Sequence, residues 1–319
     1  MKAILCTKYG PVEDLKIGDV PKPIPREHEV LIKVSFSAVN DYDWSMVRGK
    51  PGIYRLFLGF FKPKRPIPGM ELSGIIEAIG ENVTAFKLGE AVYGDISDHG
   101  FGTFAEYLCI HEKAIVKKPE YLSFEDAAAL SHAANLAWQG LVDVGQIKKG
   151  MKVLINGAGG GVGTLGLYIA KTYDAEVTGV DTGDKLKTMA KIGYDHIIDY
   201  KETDFTSNNT KYDLVLDAKT NRPPKAYIRV LSPNGKYVSI GGKIKNLLQI
   251  LFARKVRKKP VFMVGLKANK DLDQIHKLYE DGRLKPEVDG PYPLEKAPWA
   301  IQHFGEGKHT GKVIISMQD

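Results

Sequence analysis

One stretch of the chain has residue types and a spacing suited to holding a nucleotide. Val153-Leu154-Ile155-Asn156 is a short apolar run, and Gly157-Ala158-Gly159-Gly160-Gly161-Val162-Gly163 follows at once. Glycine at a strand-to-helix junction permits a tight turn, backbone approach to a pyrophosphate and close helix–strand packing. The phosphate then meets unpaired amides at the helix N-terminus. A literal G-x-G-x-x-G runs through Gly161, Gly163 and Gly166, too far into the helix, so the sensible register is Ala158-x-Gly160-x-x-Gly163. Loop contacts are therefore expected from Ala158, Gly160, Gly161, Val162 and Gly163, with Gly241 after a later strand. Asp181 ends the next apolar run, where a dinucleotide fold places its ribose acceptor. It would favour NAD(H) by repelling a 2′-phosphate, although an ordinary helix cap is a second reading. Lys185 could instead pair with that phosphate, and Tyr200, after the following strand, could cover the same site. Both NAD(H) and NADP(H) stay open.

Other chemistries find little support. The eight histidines are scattered singles with no H-x-x-x-H pair, and Cys6 and Cys109 cannot build a disulfide framework or a four-cysteine zinc site. Neither a Gly-x-Ser-x-Gly elbow nor a phosphate-binding P-loop occurs. His132, in Leu130-Ser131-His132-Ala133-Ala134-Asn135, opens an apolar helix and reads as a satisfied structural histidine, with a pocket position as the alternative.

The elements that must position the glycine loop follow from periodicity. Val30, Ile32, Val34 and Phe36 alternate with Leu31, Lys33 and Ser35, and short glycine-punctuated strands follow at 74–80 and 91–94, so the first third is β-rich. After Pro119 the pattern changes, and Ser123-Phe124-Glu125-Asp126 fits a helix-opening capping box. From Met151 strands alternate with helices, which implies βαβ units and a doubly wound parallel sheet of the α/β class. A helix over 271–279 and a strand over 313–316 close the chain. Boundaries are expected at 1–122, 123–262 and 263–319, the last returning to the first domain.

A length of 319 residues fits about two domains. With 43% hydrophobic and 26% charged residues, collagen-like, coiled-coil and disordered readings are excluded. Apolar runs fall far short of a membrane span, and no signal peptide is visible, so a cytoplasmic protein is expected. The net charge of +7 is local. Lys243, Lys245, Arg254, Lys255, Arg257, Lys258 and Lys259 fall in 241–260 without an acid, and the acid-free stretch 44–70 carries Arg48, Lys50, Arg55, Lys62, Lys64 and Arg65. Such local charge does not suggest a nucleic-acid-binding surface.

The chain resembles the zinc-independent medium-chain dehydrogenase/reductases of the quinone oxidoreductase (zeta-crystallin-like) branch. The resemblance rests on Met1-Lys2-Ala3, Ala38-Val39-Asn40 with Asp43, Pro68-Gly69-Met70-Glu71-Leu72-Ser73-Gly74, Gly89-Glu90-Ala91-Val92-Tyr93-Gly94, Gly102-Thr103-Phe104-Ala105-Glu106-Tyr107, the glycine loop, and Glu306-Gly307-Lys308-His309-Thr310-Gly311-Lys312-Val313. It implies a GroES-like β-barrel catalytic domain, a Rossmann domain, an active site in the cleft between them, and a homodimer. Asn40, Met70 and His132 match the positions of the zinc ligands in metal-dependent relatives, and one imidazole cannot hold a catalytic zinc. What remains is hydride transfer from NAD(P)H to a quinone or α,β-unsaturated carbonyl, which stabilises its own charge by conjugation. Asn40 and Tyr42 are the expected hydrogen-bond donors, Asp43 an orienting residue and Trp44 an apolar wall; a loop-capping role for Asn40 and Asp43 is the alternative. Asp41 stands where the family usually has Pro, and Ser45 where a Tyr is common. A second class of function, a non-catalytic or membrane-surface nucleotide binder, is suggested by the basic–apolar segments Ile53–Arg65 and Leu247–Lys259, which read first as a solvated rim and an apolar wall of the substrate cleft.

Overall fold

The structure is a computed structural model that describes residues 1–207, 209–242, 246, 248–250 and 260–318. The seven cations from Lys243 to Lys259, and the segment Leu247–Lys259 apart from 248–250, lie outside the described residues. Two compact units result, one of Met1–His132 with Val288–Asp319, the other of Ala133–Glu287.

The first unit is β-rich. Strands β1 (Lys2–Leu5) and β2 (Lys16–Asp19) pair as a hairpin. Next come β3 (Glu29–Ala38), α1 (Asp41–Arg48), α2 (Arg55–Leu58), β4 (Glu71–Ile79), β5 (Ala91–Asp95), β6 (Tyr107–His111) and β7 (Val116–Lys117). Helix α3 is Phe124–Leu130. The alternating run becomes β3, yet almost all of it is buried, because β3 is paired with β4, β6 and the last strand and is covered on a second face. There Ala128 and Ala129 of α3 pack with Ala38. The Ser123 hydroxyl accepts from the Asp126 amide at 3.0 Å, as the capping pattern predicts.

The second unit holds α4 (Ala133–Trp138), β8 (Lys152–Asn156), α5 (Gly161–Lys171), β9 (Glu176–Asp181), α6 (Lys185–Ile192), β10 (His196–Asp199), β11 (Tyr212–Asp217), α7 (Pro224–Arg229), β12 (Leu231–Ser239), β13 (Val261–Met263) and α8 (Leu272–Glu280). Its strands are all parallel, in the order β10-β9-β8-β11-β12-β13. Renumbered from β8, that is 3-2-1-4-5-6, the dinucleotide-binding order, with its switch point between β8 and β11.

The remaining β14 (Val288–Pro293), α9 (Ala297–Gly305) and β15 (Lys312–Ser316) rejoin the first unit, β15 lying between β14 and β3. Relative to the boundaries expected at 122/123 and 262/263, α3 stays with the first unit and α8 with the second. The reasons are local: the Ser73 hydroxyl of β4 donates to the Phe124 carbonyl, and Asn135 and Gln139 hydrogen-bond Asp271 at the start of α8. No helix among the described residues is long and apolar enough to cross a membrane.

Candidate active site

The glycine turn lies at the carboxyl end of β8. Gly160 caps α5, whose first residues are Gly161 and Val162, and the buried Ala158 sits beneath. Gly163 is sterically required, since a Cβ there would lie 2.4 Å from the Gly157 carbonyl oxygen and 2.5 Å from that of Ala158. The Ala158-x-Gly160-x-x-Gly163 register thus describes the turn. It leaves the first amides of α5 at the switch point, an arrangement that suits a pyrophosphate.

Asp181, at the end of β9, is buried and engaged with the turn. Its Oδ2 accepts from the Gly159 amide at 2.9 Å and its Oδ1 from the Thr182 amide at 3.0 Å. Lys185, the first residue of α6, is equally buried and lies 3.9 Å from Asp181 Oδ1. Tyr200 is partly exposed and its amide donates to the Asp181 carbonyl. Asp181, Lys185 and Tyr200 therefore converge on one spot beside the turn. Gly241 follows β12, its carbonyl accepting from the Ser239 hydroxyl at 3.1 Å. Sequence reasoning missed Asp217, at the end of β11. Fully buried, it accepts from Asn156 Nδ2, the Tyr237 hydroxyl and the Lys219 and Thr220 amides, tying the loop after β11 beside the glycine turn.

In the first unit a buried charged network surrounds Asn40. The Asn40 Nδ2 donates to Glu71 Oε2 at 2.8 Å and to the Ala38 carbonyl at 3.3 Å, while its Oδ1 accepts from Lys312 Nζ at 2.8 Å. Lys312 Nζ also donates to Glu71 Oε2 at 2.6 Å, and the Ser131 hydroxyl and His132 amide donate to Glu71 Oε1. His132 is a satisfied histidine, its Nδ1 lying 2.7 Å from Asp95 Oδ2. Burial opposes the imidazolium, but the Asp95 carboxylate outweighs it and holds His132 above its ordinary pKa. Asp95 is correspondingly lowered, burial notwithstanding, by His132 and by the Ser97 hydrogen bonds.

Asp43 has a structural task. Its carboxylate accepts from the Asn40 amide at 2.8 Å, opening α1, and from the Gly69 amide at 3.0 Å. Burial pushes it up to about 7, against the pull of both amides and Lys312. Tyr42 is 42% exposed on the first turn of α1 and stacks with Tyr54 and Phe101, with ring centres 5.7 and 5.6 Å away. Trp44 packs on Gly305 of α9 beneath the Arg48 guanidinium.

Comparison with known proteins decides the family. Residues 26–120 match the alcohol dehydrogenase GroES-like domain and residues 192–315 the zinc-binding dehydrogenase family. The 2-methylene-furan-3-one reductase of Solanum lycopersicum is 32% identical over 99% of this chain and 79% of its own length. The NADPH-dependent alkenal/one oxidoreductase of Arabidopsis thaliana is 31% identical with the same coverage. The solved quinone oxidoreductase of Coxiella burnetii superposes with a TM-score of 0.88 at 28% identity, covering 100% of this chain and 99% of that one. The chain is a medium-chain dehydrogenase/reductase of the quinone oxidoreductase branch.

Within that family the zinc question turns on donor chemistry. Of the three matched positions, Met70 offers a buried thioether, Asn40 an amide spent on Glu71 and Lys312, and His132 a single imidazole already held by Asp95. Zinc takes thiolate, imidazole and carboxylate donors. An ammonium, Lys312 Nζ, already bridges the two oxygens beside them, and among the described residues no group of three His, Cys, Asp or Glu side chains converges. These residues do not fit a catalytic zinc. The nucleotide is another matter, since the tight turn sealed by Gly163 fits a pyrophosphate. Glu71, Lys312 and Asp95 were overlooked as functional candidates, although a charged residue inside an apolar strand was the available signal.

Proposed function

We propose that this protein transfers a hydride from NADH or NADPH to a quinone or an α,β-unsaturated carbonyl without a metal. The observation that carries this reading is Asn40, Met70 and His132 at the matched zinc-ligand positions, with Asn40 spent on Glu71 and Lys312 and His132 on Asp95. With no Lewis acid to polarise it, the acceptor must delocalise its own developing charge, as quinones and enones do. The nicotinamide, when bound, supplies the hydride. Ala158, Gly160, Gly161, Val162 and Gly163 would hold the pyrophosphate, Gly241 would border the cofactor, and Asp181, Lys185 and Tyr200 would read the adenosine ribose. In the first unit, Tyr42, a partly exposed residue, would supply the hydroxyl that hydrogen-bonds the acceptor oxygen. Asn40 and Asp43 act through position, since the Asn40 amide is occupied and the Asp43 carboxylate ties α1 to Gly69. The resemblance supports a homodimer through edge strands of the parallel sheet, at whose ends β10 and β13 lie, and the cytoplasm is the compartment this reading favours.

The test is NAD(P)H oxidation with an ortho-quinone and with an enone. Tyr42→Phe should lower kcat about tenfold, or about 1.4 kcal/mol of barrier, while leaving cofactor binding intact. No oxidation with either acceptor, at any cofactor concentration, would refute the assignment. An unchanged kcat in Tyr42→Phe would remove that residue from it.

A further inference from the structure

The segment between α1 and β4 holds large apolar side chains in water, and it does so by construction. Ile53, Leu56, Phe60 and Phe61 are 46%, 63%, 63% and 88% exposed, and the two phenylalanine rings meet edge to face at 5.0 Å. The turn that carries them is braced. Gly59 has φ 122°, and a Cβ there would lie 2.1 Å from the Lys62 carbonyl oxygen, so only glycine fits. The Tyr9 hydroxyl donates to the Gly59 carbonyl at 2.6 Å, the Lys64 amide to the Leu58 carbonyl at 2.7 Å, and Arg55 Nε to the Gly49 carbonyl at 3.1 Å. Clustered exposed apolar groups mark an interaction surface.

The charge around the tip identifies the partner. From Trp44 to Met70 there are six cations and no acid, and Lys50, Lys62, Lys64 and Arg65 are exposed. Lys64 and Arg65 also line a cavity of about 270 Å³ at the base of the turn, with Leu58, Pro63, Phe101 and a single acid, Asp98. An exposed aromatic pair with exposed cations on both sides of it in the chain suits a soft, negatively charged apolar boundary, where rings enter the headgroup layer and ammonium groups face phosphates. We propose that the 53–65 segment docks this unit on an anionic lipid surface. Phe60 and Phe61 enter the headgroup layer, Lys50, Lys62 and Lys64 face lipid phosphates, and the cavity beside Lys64 and Arg65 receives a headgroup. This contact does not depend on the oxidoreductase reading, because it can be measured without turnover.

The experiment is sedimentation of the full chain with vesicles of phosphatidylcholine alone and with phosphatidylglycerol added, at low and moderate salt. The expected result is pelleting with the anionic vesicles only, weakened by salt. Phe60→Ser/Phe61→Ser and Lys62→Glu/Lys64→Glu should each reduce the partition coefficient by about tenfold or more. Both variants should keep the parent's melting temperature and its turnover of a water-soluble quinone. Absence of pelleting with anionic vesicles at low salt would overturn the proposal, as would equal pelleting on phosphatidylcholine alone. Pelleting untouched by either variant would overturn it too, assigning the contact to another segment. Self-association lost in Phe60→Ser/Phe61→Ser, without vesicle binding, would make the tip a contact between copies of the chain and likewise overturn it.

Discussion

Glu71 is fully buried and shared by Asn40, Ser131, His132 and Lys312, so no one of these residues acts alone. Removing one member of a buried ion pair strands the other charge and costs about 3–5 kcal/mol, whereas removing both charges costs much less. Lys312→Met should therefore lower stability by about 3–5 kcal/mol, and Glu71→Gln/Lys312→Met by clearly less than the sum of the two single changes. Urea unfolding of the four proteins checks this, and strict additivity would show that the pair is not coupled. Two neighbouring groups set a pH dependence. Burial pushes Asp43 up to about 7, so between its ordinary range and that value the folded state keeps a proton the unfolded chain has lost. Its contribution to stability falls as pH rises through that window. His132 is also raised, despite burial, by Asp95. Its contribution is complete below its unfolded pKa of about 6.5 and is lost as pH rises through the higher folded one. The urea midpoint should thus fall between pH 5 and 8, and Asp95→Asn should flatten the upper part of that fall. A parent midpoint that rises over this range, or an Asp95→Asn slope equal to the parent's, contradicts the assignment.

At the level of elements, the β8–turn–α5 unit and the β9–α6 unit are joined by the β8–β9 ladder, by the Gly157 and Ala158 amides on the Val180 carbonyl, and by Asp181 on the Gly159 amide, with Lys185 close by. This geometry sharpens the cofactor question. Asp181 opposes a 2′-phosphate by charge, and Lys185 offsets it from 3.9 Å away. Asp181→Ser should shift the kcat/KM ratio toward NADPH and Lys185→Ala toward NADH, each by about tenfold, which corresponds to about 1.4 kcal/mol. Steady-state kinetics with both cofactors on the three proteins decides it. If Asp181→Ser leaves the ratio unchanged, the carboxylate serves only the turn. Most of these elements were legible: the apolar runs before the glycine turn and up to Asp181 become β8 and β9, and the alternation from Met151 becomes the parallel sheet. Helix α1 was not. Its first turn, Asp41-Tyr42-Asp43, has loop composition, and it becomes helical because Asp43 accepts the Asn40 amide and the buried Met46 and Val47 anchor its other face.

Across the whole molecule, the parallel 3-2-1-4-5-6 sheet and the β-rich first unit divide the work between nucleotide and acceptor under the proposed function. With Asn40, Met70 and His132 at the metal positions, chelator treatment should leave NAD(P)H-dependent turnover unchanged, and elemental analysis should find no stoichiometric zinc. One zinc per chain that survives dialysis and is needed for turnover would reverse that expectation.

The chain's local code determined the strands, the glycine register and the α/β class, because apolar periodicity and glycine stereochemistry act over a few residues. The family motifs already contained Glu71 and Lys312. Only the tertiary structure decided that these two residues, 241 positions apart, form a buried ion pair around Asn40. The reason is that β15 returns between β14 and β3, placing Lys312 beside the start of β4. Nor does spacing say that His132 meets Asp95 or that Asp43 spans to Gly69. Desolvation of a charge, which sets the pairing and pKa shifts at this site, depends on what surrounds it in three dimensions and has no period in the sequence.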